Sequence, residues 1–412
     1  MRIVYKRCCG LDVHKKVIVA CLLLLEADGE LRSEIRKFGT MTQDLLELLD
    51  WLQQAGCTHV AMESTGVYWK PIWNVLEGRF ELLLVNAQHF KAVPGRKTDV
   101  KDCEWLAELL QHGLVRSSFV PPTLVRDLRD LNRNRAILVQ QRATVSNRIE
   151  KVLEDANIKL GVVASHVLGQ SGRTMLHALS TGEEDIDKLA EMAKAKLRKK
   201  IPELRVALFG KMRDHHRFLL RQWLSQLESV EKQIAEFDLE IDRRNEPFQQ
   251  TVDRLITIPG VDRITASGLV AEIGTNMAQF PSAQHLASWA GLCPGNNESA
   301  GKRLSGKTRK GNPWLRRVLC QAAWAASHTK GTYLSAQYHR LAARRGKKRA
   351  IIGIAHSILV IAYYLIARGE EYRDKGGDYF DRINCEGLKR YLIRRLEHLG
   401  HSVKLEPVPS EA

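Results

Sequence analysis

Over the first 120 residues, short apolar runs alternate with helix-spaced segments. Residues 17–25 (VIVACLLLL) form one such run and lead into Asp28-Gly29. That dipeptide favours a tight hairpin turn, so residues 31–38 are expected to return as the partner strand. Residues 45–52 carry apolar side chains at helical spacing, and residues 102–110 repeat that pattern. Residues 59–63 and 81–85 read as short buried strands. Paired strands followed by alternating helix and strand predict a mixed α/β sheet. Pro121-Pro122 then interrupts the chain and marks a domain boundary.

Beyond it the rhythm becomes helical. Leu128, Leu131, Arg135, Leu138, Arg142, Val145, Ile149 and Val152 alternate spacings of three and four. Leu220, Trp223, Leu227, Val230, Ile234, Phe237 and Ile241 keep the same rhythm. Such runs make a coiled-coil seam, pairing with each other or with another subunit; two amphipathic helices of a bundle satisfy the spacing equally. The Gly/Ser/Thr-rich residues 161–182 between them read as a loop-bearing excursion. Residues 250–366 form a helix-rich region in which Ile258-Pro259-Gly260-Val261 separates two helical stretches, the layout of a helix-hairpin-helix element. Asp262 stands where a second glycine is usual, and its charge would repel a phosphate, so the turn is expected to be a packing or weak DNA-contact element. The expected domains are 1–120, 121–249, 250–370 and a basic helical tail, 371–412, with a disordered end.

Composition narrows the partners. The chain has 412 residues, a formal charge of +16, a pI near 9.5 and 44% hydrophobic residues, which describes a globular, multidomain, basic protein. The charge calls for a polyanion, either nucleic acid or an anionic membrane surface. The most apolar run, residues 351–366, is shorter than the roughly 20 residues a spanning helix needs and contains His356, so a buried helix and no membrane are expected. The N-terminus lacks a signal peptide's apolar run, so a cytoplasmic protein is expected. The eight cysteines lack zinc-type spacing and read as small buried residues.

Four acids stand out. Asp12 precedes a strand-like run, Glu63 closes another, and Asp99 and Asp102 lie three apart at the start of a helix. Carboxylates converging from strand ends and one helical turn suit Mg²⁺ or Mn²⁺, and two such ions about 3.5–4 Å apart support phosphodiester cleavage. Taken singly, each acid reads first as a surface charge or a helix cap; together, with a mixed sheet and a basic chain, they favour the metal site. A second cluster spans residues 296–317 and contains a literal G-x-x-x-x-G-K-T string from Gly301 to Thr308. Turn residues precede it, and Gly311-Asn312-Pro313 stops any helix from running on, so the P-loop context fails on both sides. What remains is a glycine-rich basic loop. Lys302, Arg303, Lys307, Arg309 and Lys310 can hold a phosphate backbone, and Ser299 or Ser305 can serve as phosphate ligand or nucleophile.

Gly10-Leu11-Asp12-Val13-His14-Lys15, Met62-Glu63-Ser64-Thr65-Gly66-Val67-Tyr68-Trp69 and Lys97-Thr98-Asp99-Val100-Lys101-Asp102 resemble the DEDD transposases of bacterial insertion sequences, relatives of the pilin-gene invertase. Ile258-Pro259-Gly260-Val261, Trp289-Ala290-Gly291-Leu292-Cys293-Pro294, Ser299-Ala300-Gly301-Lys302 and Lys310-Gly311-Asn312 resemble the same family's C-terminal domain. The resemblance implies an N-terminal RuvC-like domain of the RNase H fold, with Asp12, Glu63, Asp99 and Asp102 as ligands to two divalent ions. It implies a coiled coil used for assembly into a dimer or tetramer, and a catalytic serine at Ser299. That serine would join DNA covalently and cooperate with the acids of another subunit. It also implies double-stranded donor and target DNA, an element-encoded bridge RNA and a bacterial cytoplasm. Ala300, Ser305 and Asp262 depart from the family pattern. The alternative activity is a metal-dependent, structure-specific nuclease of the RuvC type that cuts without rejoining; a DNA-bridging protein with a degraded site fits less well, because all four acids are present.

Overall fold

The computed structural model describes residues 2–64, 66–85, 99–295, 297–299, 301–308 and 310–406; the side chains of residues 99–100, 297–299 and 303–305 lie outside that description. The chain divides into two compact units, Met1–Val120 and Pro121–Ala412.

The first unit is built on a six-stranded mixed sheet ordered β3-β2-β1-β4-β5-β6. Strands β1 (Arg7–Val13), β2 (Ile18–Leu25) and β3 (Leu31–Phe38) form an antiparallel meander. Its second turn is the expected one, with Asp28 accepting from the Glu30 amide at 3.0 Å. Strand β4 (His59–Glu63) runs parallel to β1, β5 (Glu81–Val85) parallel to β4, and the short β6 (Ser117–Ser118) closes the edge antiparallel. The two faces sort by the period of two. Leu11, Val13, Val60 and Met62 pack under helices α1 (Thr42–Gln54) and α2 (Trp69–Leu76). Cys8, Val19, Cys21 and Ala61 pack under α3 (Asp99–Gln111), through Cys103, Leu106, Ala107 and Leu110. The mixed sheet with helices on both faces is consistent with a RuvC-like α/β domain.

The second unit is helical. Helices α4 (Thr123–Asp155) and α9 (Asp214–Asn245) lie antiparallel, since Asp155 meets His216 at one end and Asp127 meets Arg244 at the other. The two heptad-like runs therefore pair with each other within the chain. The seam differs from the sequence reading: Leu224, not Trp223, is the buried residue, while Trp223 lies under the Arg148 guanidinium. Glu231, Asp238 and Asn245 continue the spacing of Leu220, Leu224, Leu227, Ile234 and Ile241. Each polar residue has its own partner: Glu231 accepts twice from Arg173 (2.6 and 2.7 Å), Asp238 accepts from Arg135, and Asn245 donates to Ser267 at 2.9 Å. Polar residues at seam positions fix register.

The excursion between the two long helices is helical, contrary to the loop expected from its composition. It folds as α5 (Leu160–Val163), α6 (Gln170–Thr181), α7 (Ile186–Glu191) and α8 (Ile201–Leu208). Met175, Leu176, Leu179, Leu189 and Leu204 bury against Val145, Ile149, Leu220 and Leu224. Tertiary burial overrides the weak local propensity here.

The rest comprises α10 (Gln249–Ile256), α11 (Arg263–Ile273), α12 (Ala283–Trp289), a hairpin of β7 (Asn297–Ser299) and β8 (Lys302–Ser305), α13 (Pro313–His328), α14 (Tyr333–Arg345), α15 (Lys347–Arg368), α16 (Tyr379–Ile383) and α17 (Cys385–His398). The α10–α11 turn does separate two helices, but its Gly260, at φ +83°, is pressed against α13, and Asp262 caps α11 by accepting from the Thr265 amide at 2.8 Å. Its groups are spent on packing and capping. Helix α15 has 22 residues, and its most apolar 18-residue stretch has a mean hydropathy of 2.2, so by length and composition alone it could cross a membrane. In this fold it buries Ala350, Ile354, Ala355, Ile358, Leu359, Ala362 and Leu365 along one face, among the other helices of its unit. Helix α17 is exposed along its length, and residues 407–412 of the expected disordered end lie outside the described residues.

Candidate active site

Strand pairing brings the first two acids together. In the parallel β1–β4 register Leu11 lies opposite Met62, so Asp12 and Glu63 follow side by side at the strand ends. Alternation turns both toward α3, and both are more than nine-tenths buried, at 6% and 8% exposure. Close packing supplies the third. A Cβ built on Gly10 would lie 2.5 Å from the Cys103 carbonyl and 2.6 Å from the Ala107 amide, so only glycine lets α3 rest directly on β1. That approach sets Asp102, one residue before Cys103, beside Asp12 and Glu63. The three carboxylates line one small cavity with Leu11, Val85 and Leu106. Asp99 opens α3 as expected, but its side chain lies outside the described residues.

Three carboxylates on one cavity form a hard-oxygen donor set, which fits Mg²⁺ or Mn²⁺ and not a thiolate-seeking metal. His14 adds a contact, its Nε2 lying 3.1 Å from Asp12 Oδ2, and so holds that carboxylate's orientation. Burial pushes the Cys8 and Cys57 thiols up to about 12. Five of the cysteines are buried, as the spacing suggested. Of the aromatics after Glu63, Trp73 is buried and meets Trp69 edge-on at 5.8 Å, whereas Tyr68 is exposed.

A second group, Asp155, His215 and His216, also brings possible metal ligands together. Its hydrogen bonds argue against an ion. His216 Nδ1 accepts from the Arg213 amide at 3.2 Å, which leaves the proton on Nε2, donated to Asp155 at 2.6 Å. A metal at Nε2 would need the other tautomer and would strand that amide. The group is a helix cap and an ion pair.

The serine loop proves to be a two-stranded hairpin, which composition did not foretell. Ser299 pairs with Lys302 across the turn, Gly301 adopts φ +74°, and Ser305 sits at the far end opposite Asn297 beyond a bulge. The stem continues through the Gly295 amide, which donates to the Lys307 carbonyl at 2.9 Å, and a Pro294–Thr308 bridge. A hairpin, with no helix before Pro313, rules out a P-loop here. Lys302, Lys307 and Lys310 are exposed; Arg309 and the side chains of Ser299, Arg303 and Ser305 lie outside the described residues.

Two contacts anchor the hairpin's exit. Gly311 packs on Ala290-Gly291, where a Cβ would come within 2.4 Å of backbone, so the W-A-G-L and K-G-N motifs meet in space. Asn312 caps α13 and donates to Glu272 Oε2 at 2.6 Å. Glu272, 3% exposed, also takes a bidentate ion pair from Arg133 at 2.8 Å. Arg129 lies alongside, donating to the Ala271 and Glu272 carbonyls at 2.9 Å, and burial lowers its guanidinium to about 10. This buried hub ties α4, α11 and the serine hairpin's base together. Sequence reading missed it; its one visible sign is an acid inside the apolar stretch Leu269–Ile273.

Comparison with known proteins agrees with the two motif sets. A family model described as a transposase, of the DEDD type, matches residues 9–158, which contain Asp12, Glu63, Asp99 and Asp102. A second, described as the transposase IS116/IS110/IS902 family, matches residues 252–339, which contain the hairpin. The chain is 26% identical over 301 residues to the transposase of insertion sequence IS1111A from Coxiella burnetii, covering 70% of this chain and 72% of that protein. It is 24% identical over 282 residues to the IS1328 transposase of Yersinia enterocolitica, covering 68% and 73%. The pilin gene-inverting protein of Moraxella bovis is 27% identical over 156 residues, covering 37% and 47%. With both of its units matched and over half of its length covered, the chain belongs to the IS116/IS110/IS902 family of transposases, enzymes of DNA recombination.

Proposed function

We propose that the chain cuts and rejoins DNA through a divalent-metal site at Asp12, Glu63, Asp99 and Asp102, working with Ser299 as nucleophile. The observation that carries this reading is the convergence of Asp12, Glu63 and Asp102 on one cavity at the ends of two parallel strands. Bound there, two divalent ions supply Lewis-acid stabilisation of charge on the phosphate oxygens. The carboxylates hold and orient the ions, and His14 fixes the Asp12 carboxylate. The Ser299 oxygen bonds to phosphorus as a phosphodiester bond to a DNA hydroxyl breaks, the serine proton is lost, and the departing strand end takes up a proton. A second strand's hydroxyl then reverses the step, so the number of ester bonds is conserved and no hydrolysis is needed.

Residues 1–120 carry the acids in this reading, 121–249 serve assembly into a dimer or tetramer, 250–370 present the serine, and 371–412 form a basic tail. Lys302, Arg303, Lys307, Arg309 and Lys310 hold the DNA backbone around the serine, and a bridge RNA selects the donor and target duplexes. The acids of one subunit work with the serine of another.

The test is recombination by substituted full-length protein. Asp12→Asn or Glu63→Gln should leave DNA binding within a few-fold and lower cleavage at least 100-fold; EDTA should abolish it. Ser299→Ala should abolish strand transfer and the covalent protein–DNA adduct, while Ser305→Ala keeps both. Normal transfer by Ser299→Ala would refute the serine assignment, and cleavage without rejoining in the unsubstituted chain would establish the nuclease alternative.

A further inference from the structure

A large cleft of about 1140 Å³ opens at the foot of the serine hairpin, within the second unit. One wall is the hairpin's base, from Pro294 to the Lys307–Thr308 strand; the other is the junction of α14 and α15. Gly346, at φ +80°, breaks these two helices, so Arg345, Lys348 and Arg349 come out together at the rim. With Lys307 and Arg316 they make five cations, and among the described residues no carboxylate lines the cleft. Arg345, Lys348 and Arg349 are exposed and make no ion pair among the described residues. Arg316 lies lower and donates to Thr308 Oγ1 at 3.2 Å.

The floor has different chemistry. Leu292, Leu341, Ile352 and Gly353, less exposed than Lys307, Arg345, Lys348 and Arg349, supply the apolar part of the lining beneath the cationic rim, with His356 and Ser357 beside them. Burial depresses the His356 imidazole, which favours the neutral form, able both to donate and to accept a hydrogen bond.

Such a two-layered surface selects for more than negative charge. A duplex presents phosphates and keeps its base faces stacked inside, so it could satisfy the rim but not cover the floor. An unpaired strand offers both, with phosphates for the rim and open base and sugar faces for the apolar lining. Resting on the recombinase reading for its context, we propose that this cleft seats an unpaired polynucleotide strand, DNA or RNA, beside the stem that carries Ser299. Arg345, Lys348 and Arg349 hold its phosphates, and Ile352 with Leu341 receives a base. The α14–α15 junction thereby acts as a strand holder, separate from the acidic site and from the hairpin tip.

The test is binding rather than catalysis. Full-length protein carrying Ser299→Ala, kept in EDTA, is titrated with fluorescent unpaired DNA, unpaired RNA and duplex DNA oligonucleotides over a range of salt. Arg345→Ala with Lys348→Ala should shrink the slope of log K against log salt by about 1.4 for an unpaired strand, at about 0.7 per lost phosphate contact. The duplex slope should stay unchanged. Ile352→Asn should weaken the unpaired strand about ten-fold with its slope intact, and thermal melting checks that each variant folds. Whichever of DNA and RNA loses affinity identifies the occupant. Unchanged slopes on both unpaired strands, or an equal loss on the duplex, would overturn the proposal. Neither cleavage nor the identity of the nucleophile enters these measurements, so the result stands apart from the fate of the serine assignment.

Discussion

At the scale of single residues, the candidate site depends on an absence of atoms as much as on carboxylates. Gly10 has no Cβ where α3 crosses β1, and that contact sets the height of Asp102 above Asp12. Gly10→Ala should cost on the order of 1–3 kcal/mol by overpacking. It should also lower cleavage more than ten-fold in protein that still melts cooperatively, because the helix moves while the acids remain. Wild-type cleavage by a folded Gly10→Ala protein would show that the third carboxylate is not positioned this way. The acids themselves were legible in sequence, since each borders a short apolar run or opens a helix. Their meeting was not, because it depends on strand order and on how closely one helix approaches. Glu272 was illegible for a related reason: an acid near a helix end reads as a surface charge until Arg133 and Asn312 are found against it.

At the scale of elements, Glu272 joins pieces that sequence reading treated as separate regions. Its carboxylate faces Arg133 on α4 and Asn312 at the start of α13, both within hydrogen-bonding distance. Glu272→Ala leaves Arg133 half-desolvated without its partner, and breaking a buried pair typically costs about 3–5 kcal/mol. The expected outcome is a lower melting temperature together with faster hydrogen exchange across 306–316; a loss below about 1 kcal/mol would count against the hub. Element reading succeeded where the hydrophobic period was strong, in β2, β4, β5 and the two long helices. It failed at residues 161–182, where glycines and hydroxyls signal loop but a shared core imposes helices. It also failed at the serine hairpin, whose residues 297–305 lack the alternation that marks a half-buried strand.

For the whole molecule, charge and assembly are the relevant properties. A formal surplus of +16 predicts binding to nucleic acid that weakens steeply with salt. The long helices satisfy each other inside one chain, so the seam they share is not available for joining subunits. Leu124, Ile137, Phe218 and Leu239 remain exposed on their outer sides. If residues 121–249 assemble subunits, those outer faces must do it. Light scattering of the protein with its DNA should then give a mass of two or more chains, and Leu239→Glu with Ile137→Glu should reduce it to one. A strictly monomeric mass for the unsubstituted protein would remove the assembly role.

The serine hairpin carries a further consequence for how such a protein can diversify. Its foot is clamped by Gly311 on Ala290-Gly291 and by Asn312 on Glu272, while its tip is held by the ladder between two short strands. Successive residues of a strand face opposite ways, so one inserted residue between foot and tip would turn Ser299 to the other side of the ribbon. Two inserted residues, one in each strand, would push the tip outward by one step and also reverse its facing. Length variants that keep position 299 on the same face of the ribbon must therefore add residues in multiples of two per strand, or absorb the odd one in a bulge like that beside Asn297. Parity, rather than length, is the quantity this hairpin has to conserve.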